Sequence, residues 1–199
     1  MGLSQHGVVT HSRERRLTSQ IVRGRFSDNR AASGPTNLMD AISLERLKML
    51  APGFAKKLHT VLLMLEAEDV HMRIVQGLRT WKEQDDLYAQ GRSKPGNIVT
   101  KVRGGYSWHN LGLAADCVPD ADPERPGFQP DWEPSSQRYK RFLAVAKAQG
   151  LTIGADWRTF PDYPHVQDGV LPVSPPDEIR ELYAQKGMNA VWIHYGLET

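Results

Sequence analysis

The most informative stretch of the sequence is Ser107-Trp108-His109-Asn110-Leu111-Gly112-Leu113-Ala114-Ala115-Asp116, which follows the pattern S-x-H-x-x-G-x-A-x-D. It carries an imidazole and a carboxylate, both good metal ligands, seven positions apart. On a helix this spacing would place both on one face. Gly112 and the strand-like residues around it favour instead a turn that leads into a strand. In that geometry Asp116 projects back toward His109, and the small Ala114 leaves room beside a metal.

A second segment supplies a candidate third ligand. It reads Phe160-Pro161-Asp162-Tyr163-Pro164-His165-Val166-Gln167. A catalytic zinc commonly has three protein ligands and one position for water, and His165 is the best candidate for the third ligand. Two prolines restrict the backbone, and a carboxylate precedes the histidine by three residues. Asp162 could therefore lie beside a metal-bound water and accept its proton.

These two segments resemble the zinc D-Ala-D-Ala carboxypeptidase family, and especially its branch of L-alanyl-D-glutamate endopeptidases found as bacteriophage endolysins. The first pattern is present in full, and the D-x-x-H pattern fits the branch that uses Asp as the catalytic base. Upstream, Gly77-Leu78-Arg79-Thr80, the stretch 87–92 and Gly104-Gly105 are also similar. The resemblance covers roughly residues 44–167.

The resemblance implies a role for each of these residues. His109, Asp116 and His165 would bind Zn²⁺ and Asp162 would be the general base. Arg79 would orient the substrate or stabilise the developing oxyanion, since an arginine just past a strand end can offer a charged fork to a cleft. Alternatively, Arg79 pairs with a nearby carboxylate of Glu83 or Asp85. The implied substrate is the peptidoglycan stem peptide, cleaved at the L-alanyl-D-glutamate bond, with D-alanyl-D-alanine carboxypeptidase activity as the alternative.

Two other functions compete with this one. Cys117 suggests a cysteine peptidase with His109 or His165 as its base. Strand alternation argues against that, because Cys117 would point away from the face that carries Asp116. A non-catalytic cell-wall-binding protein with a structural metal is the other alternative. Asp162 argues against it, because a structural site needs no free carboxylate beside an open position.

The remaining sequence predicts an α+β fold, with a small mixed or antiparallel sheet flanked by helices. Apolar residues at helical spacing follow Pro52, and Thr80 with Glu83 forms a capping box for a helix to residue 88, with Trp81 and Leu87 pointing inward. Residues 91–105 and 120–134 lack periodicity and predict loops. Further predictions are strands over 71–77, 111–118 and 151–153, a helix over 136–149, and a helix from Ser174-Pro175-Pro176-Asp177 to about Gly187.

Residues 1–36 predict a basic, flexible arm and linker, which leaves 37–199 as the catalytic domain. The arm has six arginines against Glu14 and Asp28. This composition predicts a solvated tail, with an electrostatic anchor for anionic cell-envelope polymers or nucleic acid as the alternative. A net charge of +2 does not predict nucleic-acid binding. The single cysteine excludes an intramolecular disulfide. The sequence shows no membrane span and no signal peptide. We therefore expect a protein that is made in the cytoplasm and acts on the cell wall as a phage lysin. We also expect a monomer.

Overall fold

A four-stranded antiparallel sheet organises the fold. Its strands are β1 (Met72–Gln76), β2 (Ala114–Pro119), β3 (Leu151–Ile153) and β4 (His165–Asp168), arranged in the order β1-β2-β4-β3. The computed structural model describes residues 39–199, so the predicted arm over 1–36 lies outside the described residues. The prediction of an α+β fold with a small sheet and flanking helices is confirmed.

The register of the central strand positions the candidate site. β2 pairs with β1 on one side and with β4 on the other. In the second pairing Asp116 lies directly opposite His165. Because directly opposed residues share a face of the sheet, this register brings the two sequence motifs together.

Within the described part of the chain, six α-helices accompany the sheet: α1 (Ala41–Leu47), α2 (Pro52–Glu66), α3 (Trp81–Ala89), α4 (Gln137–Ala148), α5 (Asp177–Lys186) and α6 (Met188–His194). Pro52 begins α2, whose buried residues are the five that the periodicity predicts: Phe54, Leu58, Val61, Leu62 and Leu65. Ser136 caps α4 through the backbone N–H of Tyr139, and Gly150 follows its end with φ +76°. Among residues 39–199, no helix has the length and apolar character to cross a membrane.

Helix α3 begins with the predicted capping box. The Thr80 hydroxyl accepts from the Glu83 N–H at 3.2 Å, and the Glu83 carboxylate accepts from the Thr80 N–H at 2.8 Å. The prediction that Trp81 points inward is wrong, since its side chain is 38% exposed, and Leu87 is only half-buried. Gln84 occupies the buried face instead, because α3 packs on a polar loop whose Thr100 hydroxyl and Val102 carbonyl accept its amide hydrogens.

Some element bounds differ from the predictions. The strand predicted from residue 111 begins at Ala114, because Trp108–Leu111 forms a short 3₁₀ helix that ends at Gly112 with φ +65°. The helix predicted from Ser174 begins at Asp177, with Pro176 at its N-cap and no side-chain cap. β4 was not predicted, because four residues between a proline-rich turn and a glycine give too short a pattern.

Candidate metal centre

His109 lies in the 3₁₀ helix just before β2, and a hydrogen bond from its Nδ1 fixes the orientation of its ring. Its Nδ1 lies 2.9 Å from the Gly77 carbonyl oxygen, which can only accept, so Nδ1 carries the hydrogen. The Arg79 backbone N–H donates to the His109 carbonyl at 3.0 Å. The Nε2 lone pair of His109 is therefore free to face the candidate centre.

His165, the first residue of β4, is fixed through its other nitrogen. Its Nε2 lies 3.2 Å from Oε1 of Gln167, two residues along the strand and on the same face. The Gln167 amide nitrogen donates to the Pro172 carbonyl at 2.8 Å, so its oxygen must be the atom that faces the ring. His165 consequently offers Nδ1 to the centre.

Three electron-pair donors converge in this way. His109 Nε2 lies 3.1 Å from His165 Nδ1 and 3.2 Å from Asp116 Oδ1, and His165 Nδ1 lies 3.4 Å from the same oxygen. Tetrahedral ligands about 2.0–2.1 Å from a zinc ion are separated by about 3.3 Å. The structure thus places the three predicted ligands as a group that could hold a metal ion.

Charge and burial act together in this cluster. Burial alone would raise the pKa of Asp116, but His109 and His165 hold it well below its usual value. For His165, burial would lower the pKa, but hydrogen bonding and attraction to Asp116 raise it. The ionised carboxylate therefore attracts positive charge to this cluster, either as a proton on His165 or as a bound cation.

Asp162 lies on the wall of the same cleft. Burial and the negative charge of Asp116 raise its pKa, an effect partly opposed by His165 and His109. Its backbone is fixed against the short 3₁₀ helix Gly154–Asp156, where Asp162 N–H donates to the Gly154 carbonyl at 3.0 Å. A carboxyl group with a raised pKa beside a metal centre is suited to proton transfer.

Arg79 points to the centre and not to the acidic residues of α3. One guanidinium nitrogen lies 3.4 Å from Asp116 Oδ2 and another donates to Gln84 Oε1 at 2.8 Å. Glu83 and Asp85, the alternative partners of Arg79, make other hydrogen bonds. Glu83 caps α3, and Asp85 accepts from the Gly104 N–H at 2.9 Å. The structure therefore places all five predicted site residues around one cleft.

Sequence reasoning missed three residues that build this site. Gln167 orients His165, and Asn110 donates to the Arg79 carbonyl at 2.9 Å while accepting from the Gly105 N–H at 2.9 Å. The Trp157 ring packs on the His165 ring with centroids 4.8 Å apart. None of the three had a readable signal, since strand alternation would relate Gln167 to His165 only if β4 had been predicted.

The cleft is formed by two adjoining cavities of about 490 Å³ and 420 Å³. Their shared wall contains Val99, Thr100, Val102, Ser107, Trp157, Asp162 and His165. One cavity continues toward Lys101 and Arg158, and the other toward Arg79 and Trp132. All three candidate ligands line the cavity of about 420 Å³, and His165 also borders the cavity of about 490 Å³, so the cleft continues beyond the candidate centre.

The structure argues against a cysteine peptidase. Cys117 is fully buried, and burial raises the pKa of its thiol far above the usual value. Its side chain belongs to the hydrophobic core. A neutral, buried thiol is a poor nucleophile.

An α+β fold with a His-Asp-His cluster at the floor of an open cleft defines a candidate metallohydrolase. Residues 100–168 match the family model described as D-alanyl-D-alanine carboxypeptidase. The chain is 43% identical over 104 residues to the peptidoglycan L-alanyl-D-glutamate endopeptidase CwlK of Bacillus subtilis (strain 168). That match covers 47% of this chain and 58% of CwlK, so the chain spans a little over half of that relative's length.

Among solved structures, the chain is similar to the L-Ala D-Glu endopeptidase ChiX of Serratia marcescens. The two share 22% sequence identity with a TM-score of 0.47, over 64% of this chain and 86% of ChiX. The family model and the CwlK match confirm the resemblance that the sequence indicates.

Proposed function

We propose that this protein is a zinc-dependent peptidase that cleaves the L-alanyl-D-glutamate bond of the peptidoglycan stem peptide. The observation that carries the proposal is the convergence of three ligand atoms within 3.4 Å of one another, with Asp162 on the same cleft. Two imidazoles and a carboxylate form a donor set that suits zinc. The similarity to CwlK supports the substrate class.

The residues divide the chemistry among them. A bound zinc ion supplies the Lewis acidity that polarises the scissile carbonyl and lowers the pKa of a water molecule. Asp162 accepts the proton of the attacking water and returns it to the leaving amine. Arg79 directs its guanidinium to the oxygen that gains negative charge.

The shape of the cleft favours an endopeptidase over a carboxypeptidase. In the stem peptide D-glutamate continues through its γ-carboxyl group, so its free α-carboxylate lies beside the scissile bond, as it does in a terminal D-alanine. The two substrates therefore present the same group to the site and differ in whether the chain continues. Because His165 borders a second cavity, the cleft continues beyond the candidate centre and leaves room for that continuation.

Digestion of a defined muropeptide, followed by mass spectrometry, tests the proposal. We expect a fragment that begins with D-glutamate, and we expect a chelator to abolish its release. Free D-alanine as the sole product would show that the carboxypeptidase alternative is correct and would leave the metal chemistry intact. Cleavage that survives complete metal removal would contradict the proposed mechanism.

A further inference from the structure

A second pocket, which the proposed mechanism does not use, lies between α3 and α5. It has a volume of about 420 Å³ and is lined by Trp81, Tyr106, Asp177, Arg180, Glu181 and Ala184. Two of these residues are large aromatics that stay substantially exposed, Trp81 at 38% and Tyr106 at 40%. Exposed aromatic surface rimmed by charged side chains is a common feature of binding sites.

Contacts within the protein hold the Trp81 and Tyr106 rings of this pocket in place. Trp81 stacks on Tyr183 with ring centroids 5.7 Å apart, and its ring edge packs closely against Gly105. The Arg180 guanidinium lies 3.7 Å from the centre of the Tyr106 ring. Rings that are already ordered lose little conformational entropy when a ligand contacts them.

The pocket adjoins the catalytic cleft at one residue. Tyr106 lines both this pocket and the cavity of about 490 Å³ at the metal centre. It precedes the ligand His109 by three residues, a separation that spans at most about 10 Å of chain. The pocket and the cleft therefore lie on two sides of Tyr106, and a ligand long enough to pass this residue would reach both.

We propose that this pocket binds an N-acetylated amino sugar of the glycan strand, next to the peptide that is cut. The inference rests on the proposed function. L-alanine is joined to the muramyl sugar through a lactyl group, so the sugar ring begins about two Cα spacings, roughly 8 Å, from the scissile carbonyl. An enzyme that cuts this bond in intact peptidoglycan must accommodate a sugar at that distance.

The chemistry of the pocket matches an amino sugar. The C–H groups of a pyranose ring are attracted to the electron-rich face of an aromatic ring. Tyr183 stacks on one face of Trp81 and Arg180 lies on one face of Tyr106, so the opposite faces are the ones that can meet a sugar. Glu181 can accept hydrogen bonds from sugar hydroxyls, and Arg180, which already pairs with Asp177, can donate to an N-acetyl carbonyl through another guanidinium N–H. A carboxypeptidase that trims the far end of the stem peptide would have no use for a sugar so close to its metal.

The test compares two substrates of identical peptide sequence, one attached to its disaccharide and one free of sugar. In Trp81→Ala and in Glu181→Gln we expect the ratio of kcat/KM, glycosylated over sugar-free, to fall roughly three- to tenfold. Phe128→Ala is the control, because this half-buried aromatic contacts Arg73 outside the pocket. An unchanged ratio in both pocket variants would overturn the proposal.

A direct titration separates this inference from the proposed function. We expect tri-N-acetylchitotriose to bind the full chain saturably, as monitored by NMR or tryptophan fluorescence, and we expect Trp81→Ala and Glu181→Gln to weaken that binding. A wild-type protein that cleaves neither substrate contradicts the proposed function, while the titration still decides the pocket. If chitotriose does not bind, or binds both variants as tightly as the wild type, the sugar site is wrong.

Discussion

The two histidines of the metal centre offer different ring nitrogens, and the partner of the opposite nitrogen explains the difference in each case. His109 presents Nε2 because the Gly77 carbonyl takes its Nδ1 hydrogen. His165 presents Nδ1 because Gln167 takes its Nε2 hydrogen. The sequence identifies both histidines, but the choice of nitrogen depends on hydrogen bonds that only the folded chain makes.

Gln167 provides a test of this orientation. We expect Gln167→Met to lower zinc affinity about 10–100-fold, because the ring of His165 loses the acceptor that fixes its tautomer. Methionine keeps a similar volume, so the core should stay packed. Competition with a chromophoric chelator measures the affinity. Gln149→Met, at the end of α4, is the matched control, and equal affinities in the two variants would show that Gln167 does not orient the ligand.

Asp162 provides a separate test of proton transfer. We expect Asp162→Asn to bind zinc with wild-type stoichiometry yet to lose about 10²–10⁴-fold in kcat, since it removes the proton acceptor but no ligand. Metal analysis and turnover of a sugar-free stem peptide measure the two effects. The control is Asp156→Asn, an exposed carboxylate at the rim of the same cleft. If Asp162→Asn keeps activity within a few-fold of wild type, another group accepts the proton.

At the scale of the elements, strand pairing assembles the site. His109 and His165 are 56 residues apart, and the β2–β4 register brings Asp116 opposite His165. Helical periodicity predicts α2 and α4 with their buried faces, because one apolar stripe identifies each. The β2–β4 pairing was not predictable, since β4 is short and nothing local identifies its partner. The prediction that Trp81 points inward was wrong, because the capping box fixes only where α3 begins. Tertiary contacts decide which face of α3 is buried.

Gly154 controls how closely two of these elements approach. A Cβ at this position would lie 2.5 Å from the Asp162 carbonyl oxygen and 2.9 Å from the His165 Cβ. We therefore expect Gly154→Ala to displace the turn that carries the base and a ligand, with losses in both zinc affinity and turnover. Calorimetric zinc titration and a kinetic assay measure them.

Gly77→Ala is the matched control for that substitution. It also adds a methyl group next to the centre, but its Cβ would meet the nearest atoms at 3.6 Å, an ordinary contact. We expect this variant to bind zinc much as the wild type does. Similar losses in both variants would mean that the tight contact at Gly154 has no special role.

At the scale of the whole molecule, the metal centre exists only when the sheet is assembled. Its ligands come from the segment before β2, from β2 itself and from β4, while Arg79 follows β1. The two motifs predicted which residues meet. The two cavities of the cleft depend on the positions of loops, and the second pocket depends on how α3 lies beside α5, and no local pattern determines either. Because an unfolded chain cannot reproduce this geometry, the proposed zinc binding would be coupled to folding.

This coupling predicts a measurable change in thermal stability. A zinc concentration about 100 times its Kd should stabilise the folded chain by about 2.7 kcal/mol. For a chain of this size, that shifts Tm by roughly 5–10 °C. Differential scanning calorimetry with and without a chelator measures the shift.

The ligand variants test whether this shift comes from the proposed centre. The zinc-dependent shift should be lost in each of His109→Ala, Asp116→Ala and His165→Ala, because each removes one ligand. His59→Ala on α2 should keep the shift. A full zinc-dependent shift in all three ligand variants would mean that the metal binds elsewhere, and the assignment of the centre would then be wrong.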